Sequence, residues 1–399
     1  MSSNNIKLKD ILEYNTKRIN ITQIDKKNYI STENMKSNYG GISRGLELPN
    51  TDTVRTYKND DILISNIRPY FKKIWLANKS GGCSSDVLVL RLKENLNIQF
   101  LYYSLANDDF FDYVMLGAKG TKMPRGDKKH ILNYEILLPN DKVQNKIANI
   151  LSTLDEKIEL NNQMNKTLEE MAQTIYKSWF VDFEPFQDGE FVESDLGMIP
   201  EGWEVKKIKN IGKVVLGKTP LTRNKKNYGN KYPFIKIPDL HDEIFVTKTE
   251  KMLSEKGHKT QEKKLLPQNS IIVSCIGSVG LVALNLFPSH TNQQINSIVC
   301  DEKLREYLYF NMKSLKPKLN KLGAGGTTIK NVNKTTFQSI QILKPSDKIL
   351  NKYHNHVNKI FENIKNNIIE NSNIKKIRDS LLPKLMSGEI RVPLDEEES

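Results

Sequence analysis

The chain has 399 residues, of which 38% are hydrophobic and 8% aromatic, so it is long enough for about two to three domains with separate cores. No apolar run could cross a bilayer, and residues 1–5 lack the pattern of a signal peptide. Three scattered cysteines, Cys83, Cys275 and Cys300, exclude a disulfide framework or a zinc site. We expect a cytoplasmic protein without a membrane segment or a bound metal.

The formal net charge of +13 favours a polyanionic partner such as nucleic acid. The chain is also rich in Lys, Asn and Ile, as an AT-rich genome would encode, and such proteins can be basic without binding DNA. The position of the charges along the chain therefore matters more than their sum.

The sequence contains an internal repeat. Gly117-Ala118-Lys119-Gly120-Thr121 returns as Gly323-Ala324-Gly325-Gly326-Thr327, and Leu137-Leu138-Pro139 returns as Leu343-Lys344-Pro345. Both pairs are 206 residues apart (117 to 323 and 137 to 343). A period of this length indicates two copies of a whole domain with its connector, and such a duplicated chain is suited to a partner with two halves, such as duplex DNA.

Each copy begins with a mixed domain, at 1–140 and at 200–345. Short apolar runs between Gly, Asn and Asp turns predict strands, and helical stretches are expected around 98–115 and 302–322. The predicted strands include Ile62-Leu63-Ile64, Val87-Leu88-Val89-Leu90, Ile271-Ile272-Val273 and Ser297-Ile298-Val299.

Each copy ends in a long amphipathic helix, at 141–184 and 346–390. Apolar residues there recur every three or four positions, which predicts helices of about 40 residues and about 60 Å. The stripes are interrupted at the matching positions Asn161 and Asn367, which either fix the register of a coiled coil or face solvent. If the stripes pack together, the helices run antiparallel and hold the two mixed domains at opposite ends of a rod. A linker follows at 185–199, and 391–399 forms an acidic tail.

The predicted fold is therefore α+β: two tandem, pseudo-symmetric mixed α/β domains separated by two long antiparallel helices that form a coiled coil. The long period of the repeat and the two helical stripes carry this prediction.

Three motifs suggest catalysis but lack the required surroundings. Gly212–Thr219 fits the phosphate-binding loop formula, yet the preceding 204–210 is charged and helical in period, and no amphipathic helix follows. Pro238-Asp239 with Glu262-Lys263-Lys264 is a loose match to nuclease carboxylates, and Ile67-Arg68-Pro69-Tyr70 only approaches a methyltransferase loop. No credible active site is expected.

Basic and hydroxyl side chains crowd the loops of both mixed domains, where they could bond phosphates and base edges. The alternative is that they lie on solvated loops. These clusters diverge between the copies while the helices and apolar runs stay aligned, so two copies of one scaffold would read two different half-sites. The residues predicted to bind DNA are Arg68, Lys72, Lys119, Thr121, Lys122, Arg125, Lys128, Lys218, Thr219, Arg223, Lys225, Lys226, Thr327, Thr328, Lys330 and Lys334.

The order of these features resembles the specificity subunit of a type I restriction-modification enzyme over essentially the full length. The motifs that carry the resemblance are Ile199-Pro200-Glu201-Gly202-Trp203-Glu204-Val205, Gly217-Lys218-Thr219-Pro220, Ile235-Lys236-Ile237-Pro238-Asp239-Leu240, the duplicated Gly-Ala loops, and Leu381-Leu382-Pro383-Lys384-Leu385-Met386-Ser387-Gly388-Glu389-Ile390. The first copy lacks the Pro-x-Gly-Trp and Gly-Lys-Thr-Pro motifs, so its base-reading residues are less defined.

The resemblance implies two DNA target-recognition domains and no catalysis. It implies double-stranded DNA, two methyltransferase subunits and two restriction or translocase subunits as partners, with S-adenosylmethionine, ATP and magnesium bound by those subunits. The residues expected to pack the helices or dock the subunits are Leu154, Ile158, Leu168, Ile175, Trp179, Phe180, Ile360, Ile364, Ile374, Leu381 and Leu385. The rival interpretations are a nuclease or methyltransferase fragment and a coiled-coil scaffold that does not bind DNA.

Overall fold

The computed structural model describes residues 4–43, 45, 47–93, 96–241, 244–324 and 330–393. The chain divides into two compact units. The first unit is formed by Met1–Ile158 and Asn373–Ser399, and the second by Glu159–Ser372. Each unit therefore contains one mixed domain together with half of each long helix.

The mixed domain of the first unit is built on two four-stranded sheets. The strands of one sheet are, in spatial order, Leu12–Tyr14, Val87–Leu92, Ile62–Ser65 and Ile74–Leu76, and those of the other are Arg18–Asn20, Thr53–Tyr57, Gly81–Cys83 and Tyr29–Ile30. Asn4–Lys7 pairs with Glu135–Leu138. The α-helices of this domain are Leu8–Ile11, Ile98–Leu105, Asp108–Leu116 and Lys128–Leu132.

The mixed domain of the second unit also has two sheets, but one gains an edge strand and the other exchanges the order of its last two strands. Its five-stranded sheet has the order Lys213–Leu216, Ile295–Val299, Ile271–Ser274, Val282–Asn285 and Phe245–Val246; its four-stranded sheet has the order Tyr228–Gly229, Lys251–Leu253, Tyr232–Ile235 and His290–Thr291. Glu204–Lys207 pairs with Gln341–Lys344, and Phe191–Ser194 with Gly197–Pro200. The α-helices are Glu255–Lys259, Arg305–Ser314, Lys316–Gly323 and Lys334–Ser339.

The central strands are buried on both faces, which explains their uninterrupted apolar runs. Ile62 and Ile64 face one apolar cluster, whereas Leu63 faces another. In the second unit, Ile271 and Val273 likewise face one cluster and Ile272 faces another. The equivalent strands thus divide two cores in each domain, as expected for a duplicated fold.

The first long helix is Asp141–Phe180 and the second is Asp347–Met386. Both end about four residues earlier than predicted from the sequence. In the second unit, Asn161 bonds Asn371 and Asn165 bonds Asn367, whereas the Trp179 ring contacts Tyr353. Because positions rise along one helix as they fall along the other, the pair is antiparallel, as predicted.

One local expectation differs from the structure, and one alternative that the sequence left open is excluded. Residues 204–210 are helical in period, yet Glu204–Lys207 is a strand because it pairs with Gln341–Lys344, a tertiary contact that overrides a weak local preference. Asn161 does not face solvent: its side chain is fully buried between the helices.

The three cysteines are free thiols. Burial raises the pKa of Cys83 to about 12, that of Cys275 to about 11 and that of Cys300 to about 12. These groups therefore remain protonated at neutral pH.

Candidate nucleic-acid interface

In the first domain, two separate segments that carry predicted DNA-binding residues lie side by side. Ile67 forms a β-bridge with Arg125. The Arg68 amide donates to the Pro124 carbonyl at 2.8 Å, and the Gly126 amide to the Asn66 carbonyl at 3.2 Å. Arg68 is thus brought to the loop that contains the exposed residues Lys119, Thr121, Lys122, Arg125 and Lys128.

The segment Arg68–Lys72 has an unusual backbone. Arg68 (φ 49°) and Lys72 (φ 52°) are left-handed on either side of a 3₁₀ turn at Pro69–Phe71. Such residues cost about 1–3 kcal/mol each and concentrate at functional sites. The turn presents the rings of Tyr70 (46% exposed) and Phe71 (38% exposed), with centroids 4.7 Å apart. Exposed aromatic rings beside cations can stack on or wedge between bases.

Several cations of this domain already have acidic partners. Lys72 Nζ lies 2.6 Å from Asp108 Oδ1, and hydrogen bonding from Lys72 is the largest cause of the lowered pKa of Asp108. Lys119 Nζ lies 2.8 Å from Asp127 Oδ2 on an exposed surface, where this bond lowers the pKa of Asp127 to about 2. Such an exposed ion pair is weak, so Lys119 could exchange its carboxylate for a phosphate.

In the second domain, the segment that resembles a phosphate-binding loop contains the strand Lys213–Leu216. The chain leaves this strand at Gly217–Thr219, close to the neighbouring backbone, and we call these residues the strand exit. The Gly217 amide donates to the Ile295 carbonyl and the Lys218 amide to the Thr291 carbonyl at 2.9 Å. A Cβ at Gly217 would lie 2.1 Å from the Asn292 carbonyl oxygen, which requires glycine. Because these amides bond the neighbouring strand, they cannot converge on a phosphate; only the side chains of Lys218 and Thr219 remain available.

Three lysines converge on this exit. Lys264 donates from Nζ to the Leu216 carbonyl at 2.7 Å. Its pKa is lowered, first by burial and then by the nearby charges of Lys334 and Lys218. Within the described part of the chain, none of the three has an acidic side chain at ion-pair distance. A polyanion would relieve this repulsion. Lys264 was not among the predicted DNA-binding residues, since it lies 46 positions from Lys218 (218 to 264).

The remaining predicted residues of the second domain fall around the same exit or beyond it. The exposed Arg223, Lys225 and Lys226 occupy the turn after Pro220, which Tyr228 holds through a bond from its hydroxyl to the Pro220 carbonyl at 3.2 Å. Lys330 donates from Nζ to Asn320 Oδ1 at 2.8 Å. Thr327 and Thr328 lie outside the described residues.

The two candidate surfaces rest on an equivalent backbone contact. The bridge between Ile67 and Arg125 in the first domain corresponds to the bridge between Ile276 and Asn331 in the second. The side chains differ, however: Arg125 is a cation paired with Asp86, whereas Asn331 is a neutral amide. The same framework therefore carries two chemically different surfaces.

The residues predicted to pack the helices or dock subunits are mostly buried. Phe180 packs on Trp203, Tyr307 and Tyr353. Leu168, Ile175, Trp179, Ile360 and Ile364 belong to the same core, and Ile158, Leu381 and Leu385 are buried or half-buried in the first unit, as are Leu154 and Ile374. These side chains serve helix packing.

Other apolar residues of the long helices are exposed. Met171 is 51% exposed, and Ile377, which occupies the matching position 206 residues later (171 to 377), is 50% exposed. Leu160, Met164 and Ile369 are 38–52% exposed. Met164, Met171 and Ile377 fit the apolar period, so the periodic pattern alone did not separate them from the buried residues of the stripe; Leu160 and Ile369 fall outside that period.

The rival enzymatic motifs do not form sites. Asp239 caps the turn Ile237–Leu240, where its carboxylate accepts from the Lys236 and Glu250 amides. In the portions of the chain that can be described, no three His, Cys, Asp or Glu residues are grouped to hold a metal ion. The helices in those portions also include none long and apolar enough to span a membrane.

Comparison with known proteins gives one consistent result. The family described as type I restriction modification DNA specificity domain matches residues 2–170 and 200–378. The chain is 35% identical to the type I restriction enzyme HindI specificity subunit of Haemophilus influenzae, over 88% of this chain and 90% of that protein. It is 32% identical to the MjaIX specificity subunit of Methanocaldococcus jannaschii, over 75% and 71% respectively. The crystal structure of a type I system S subunit from M. genitalium shares the fold, with a TM-score of 0.59 at 15% identity, over 97% of this chain and 96% of that one.

Proposed function

Because the chain belongs to the family of type I restriction-modification DNA specificity proteins, we propose that its two domains read the two unlike halves of a bipartite DNA target. The observation that carries this proposal is the pair of equivalent bridges, Ile67–Arg125 and Ile276–Asn331, which support different side chains. The chain is the recognition subunit and does not catalyse the reaction.

The two domains would use different contacts. In the first, Tyr70 and Phe71 beside Arg68 supply stacking and a cation, while Lys119, Lys122, Arg125 and Lys128 approach phosphates. In the second, Lys218, Lys264 and Lys334 form a positive surface without acidic partners among the described residues, and Thr219 and Gln293 are joined by a hydrogen bond of 2.5 Å. Hydroxyl and amide groups of this kind bond base edges in the major groove.

A specificity subunit works in a complex with DNA, a methyltransferase and a restriction enzyme. We propose two copies of each partner subunit, because the chain itself is duplicated, and we assign the exposed Met171 and Ile377 to two equivalent methyltransferase contacts. Apolar side chains exposed at matching positions fit such repeated contacts. S-adenosylmethionine, ATP and magnesium would be bound by the partner subunits, and the complex would act on DNA in the cytoplasm.

The test is a methylome. The chain is expressed with the methyltransferase subunit of its own system, and the host DNA is sequenced by a method that detects modified bases. We expect a new motif of two short unlike halves around a fixed gap, absent when this chain is omitted. A stable complex that adds no mark would contradict the proposal and favour a scaffold without DNA binding.

The gap between the half-sites should follow the length of the helices. Four residues inserted into both helices lengthen them by about 6 Å, which corresponds to about one or two base pairs. The insertions must be matched, since one alone would shift Asn161 from Asn371, and they must avoid Glu169, which binds Lys313. If the complex with the lengthened chain still methylated the motif with its original gap, the proposed dependence of the gap on helix length would be contradicted.

A further inference from the structure

A cluster of asparagines joins the long helices in the second unit. Asn161 Nδ2 donates to Asn371 Oδ1 at 2.9 Å and to Glu370 Oε2 at 2.7 Å, and Asn367 Nδ2 donates to Asn165 Oδ1 at 2.9 Å. Asn161 corresponds to Asn367 and Asn165 to Asn371, each 206 residues later (161 to 367 and 165 to 371). The internal repeat therefore converts one asparagine pair into the other.

The first unit has a charged contact between its domain and the helices. Arg378 donates from Nη1 to Asp155 Oδ1 at 2.5 Å, and the Tyr103 hydroxyl donates to Asp155 Oδ2 at 2.8 Å. Asp155 comes from the first long helix and Arg378 from the second, so this cluster, which we call the first joint, needs both helices.

The second unit has different residues at the matching positions, which we call the second joint. Asp155 corresponds to Phe361 and Arg378 to Ala172, both of them fully buried in the same apolar core. Phe310, the counterpart of Tyr103 when Phe100–Tyr103 is aligned with Tyr307–Phe310, packs on Phe361 with centroids 5.8 Å apart. The charged contact of the second joint lies about one helical turn before Ala172, where Lys313 donates from Nζ to Glu169 Oε1 at 2.5 Å.

We propose that the two joints make each long helix selective for the other helix and exclude pairing of a helix with its own counterpart in a second copy of the chain. The selectivity concerns helix pairing and does not depend on what the domains bind. It would keep two unlike domains in one molecule and prevent assemblies that carry the same domain twice.

The substitutions imposed by like-with-like pairing show why it is disfavoured. If two second helices paired, Lys375 and Arg378 of one copy would replace Glu169 and Ala172 at the second joint. Lys313 would then lose Glu169 and meet two further cations, and the only acid to accompany them would be Asp379, which already bonds Arg378. Uncompensated like charges at a contact disfavour the pairing that brings them together.

If two first helices paired, Ala172 of one copy would replace Arg378 at the first joint, and Glu169 would replace Lys375. Asp155 would lose its cation and gain an acidic neighbour, in a region that already contains Asp108 and Asp109. Only the pairing of a first helix with a second helix keeps Arg378 opposite Asp155 and Lys313 opposite Glu169.

The asparagine cluster does not distinguish these pairings. Because Asn161 and Asn165 match Asn367 and Asn371, any two of the helices can form the two bonds between asparagines; the further bond to Glu370, whose counterpart is Met164, needs a second helix. A buried asparagine layer fixes register, whereas complementary and repulsive charges choose the partner. The two devices are therefore separable by mutation.

The experiment uses the whole folded chain with a protease site placed in the exposed turn at Asp195–Leu196. The chain is cleaved after folding, mixed with a cleaved copy of different mass, unfolded in urea and refolded, and the re-formed pairs are counted by native mass spectrometry. Random pairing would give like-with-like complexes in about half of the total. For the natural sequence we expect like-with-like complexes to make up less than about a twentieth of the total, which is about tenfold fewer than random pairing would give.

Two variants test the cause. Asp155→Phe/Lys375→Glu/Arg378→Ala gives the first joint the residues of the second and should raise the like-with-like share about tenfold over the natural sequence. Asp155→Arg/Arg378→Asp keeps the ion pair, and so the fold, but places an acid opposite Lys313 in paired second helices; it should raise the share of second-with-second complexes.

The control is Lys376→Glu, which makes the same change of charge on an exposed side chain beside the joint and should leave partner choice unaltered. Random pairing of the natural halves would overturn the proposal. So would an unchanged partner choice in the Asp155→Arg/Arg378→Asp variant.

Discussion

The two domains attach to their long helices through different chemistry at equivalent positions. In the second unit, the fully buried Glu306 accepts from Arg305 at 2.7 Å and bonds His354 Nδ1 at 2.7 Å. With Phe100–Tyr103 aligned on Tyr307–Phe310, the equivalent residues of the first unit are Ile98, Gln99 and Ala148; Ile98 packs on one apolar cluster and Ala148 is buried in another. At this attachment the shared backbone thus accepts either a buried ion pair or apolar packing, provided that the space is occupied and every buried charge has a partner.

The candidate DNA surfaces differ in the same way. The first combines exposed aromatic rings with cations that have acidic partners, whereas the second gathers lysines without such partners in the described residues. A shared backbone with unlike side chains is the arrangement expected of one scaffold that serves two targets. The predictions below test how independent the two copies are.

The largest effect is expected from Glu306→Ala. The change leaves the Arg305 guanidinium buried without its carboxylate and should lower the free energy of unfolding of the second unit by about 3 kcal/mol. Phe100→Ala should cost the first unit a similar amount, about 3 kcal/mol, through a cavity. Urea denaturation of the two variants measures both losses of unfolding free energy.

A graft provides the matched control. Arg305→Ile/Glu306→Gln/His354→Ala gives the second unit the residues of the first, and replacing a buried ion pair by neutral groups of similar volume is often neutral. We expect stability within about 1 kcal/mol of the natural chain. A loss as large as that of Glu306→Ala would show that the two attachments are not interchangeable.

A slightly smaller loss of stability is expected when the pH is lowered, and only in the second unit. His290 is fully buried, its Nε2 lies 3.0 Å from His258 Nδ1, and burial lowers its pKa to about 4. The unfolded chain takes up this proton at a pKa near 6.5. Stability is therefore complete above pH 6.5 and should fall by about 2 to 3 kcal/mol as the pH drops to about 4.

The corresponding strand of the first unit has Gly82 in place of His290. His290→Gln should therefore remove this pH dependence from the second unit, and the first unit should lack it already. Trp75 reports on the first unit and Trp179 and Trp203 on the second, so urea denaturation of single-tryptophan variants between pH 7.5 and 4 separates the two. Equal acid sensitivity of both units would contradict the assignment to His290.

The smallest effects concern single cations on the DNA surfaces. Lys218→Gln and Lys264→Gln should each reduce the slope of log affinity against log salt by about 0.9. Lys72→Gln should leave the slope unchanged, since Lys72 binds Asp108. Fluorescence anisotropy of the complex on its methylated motif, titrated with salt, gives these slopes; an equal loss for Lys72→Gln would place that side chain on DNA.

The sequence was sufficient to predict the duplication, the long antiparallel helices and the central strands. Runs such as Ile62-Leu63-Ile64 and helical stripes are local patterns, and local patterns survive without knowledge of the tertiary structure. The recurrence at 206 residues added the pseudo-symmetry.

Features that depend on long-range contacts were not predictable. The convergence of Lys218, Lys264 and Lys334 joins residues from three distant segments, and the pairing of Lys72 with Asp108 is invisible in the sequence. The predicted DNA contacts of individual residues accordingly stay predictions, although the structure brings most of the described ones onto two surfaces.

The three cysteines, two of them buried and Cys300 half-buried, give the chain a practical property. With all three thiol pKa values at about 11 or 12, the natural side chains should react slowly with thiol reagents at neutral pH. A cysteine introduced at the exposed Met123 of the first domain or the exposed Leu221 of the second would then carry a fluorophore or a cross-linker at a single known point, so each recognition surface can be followed on DNA without first removing a native cysteine.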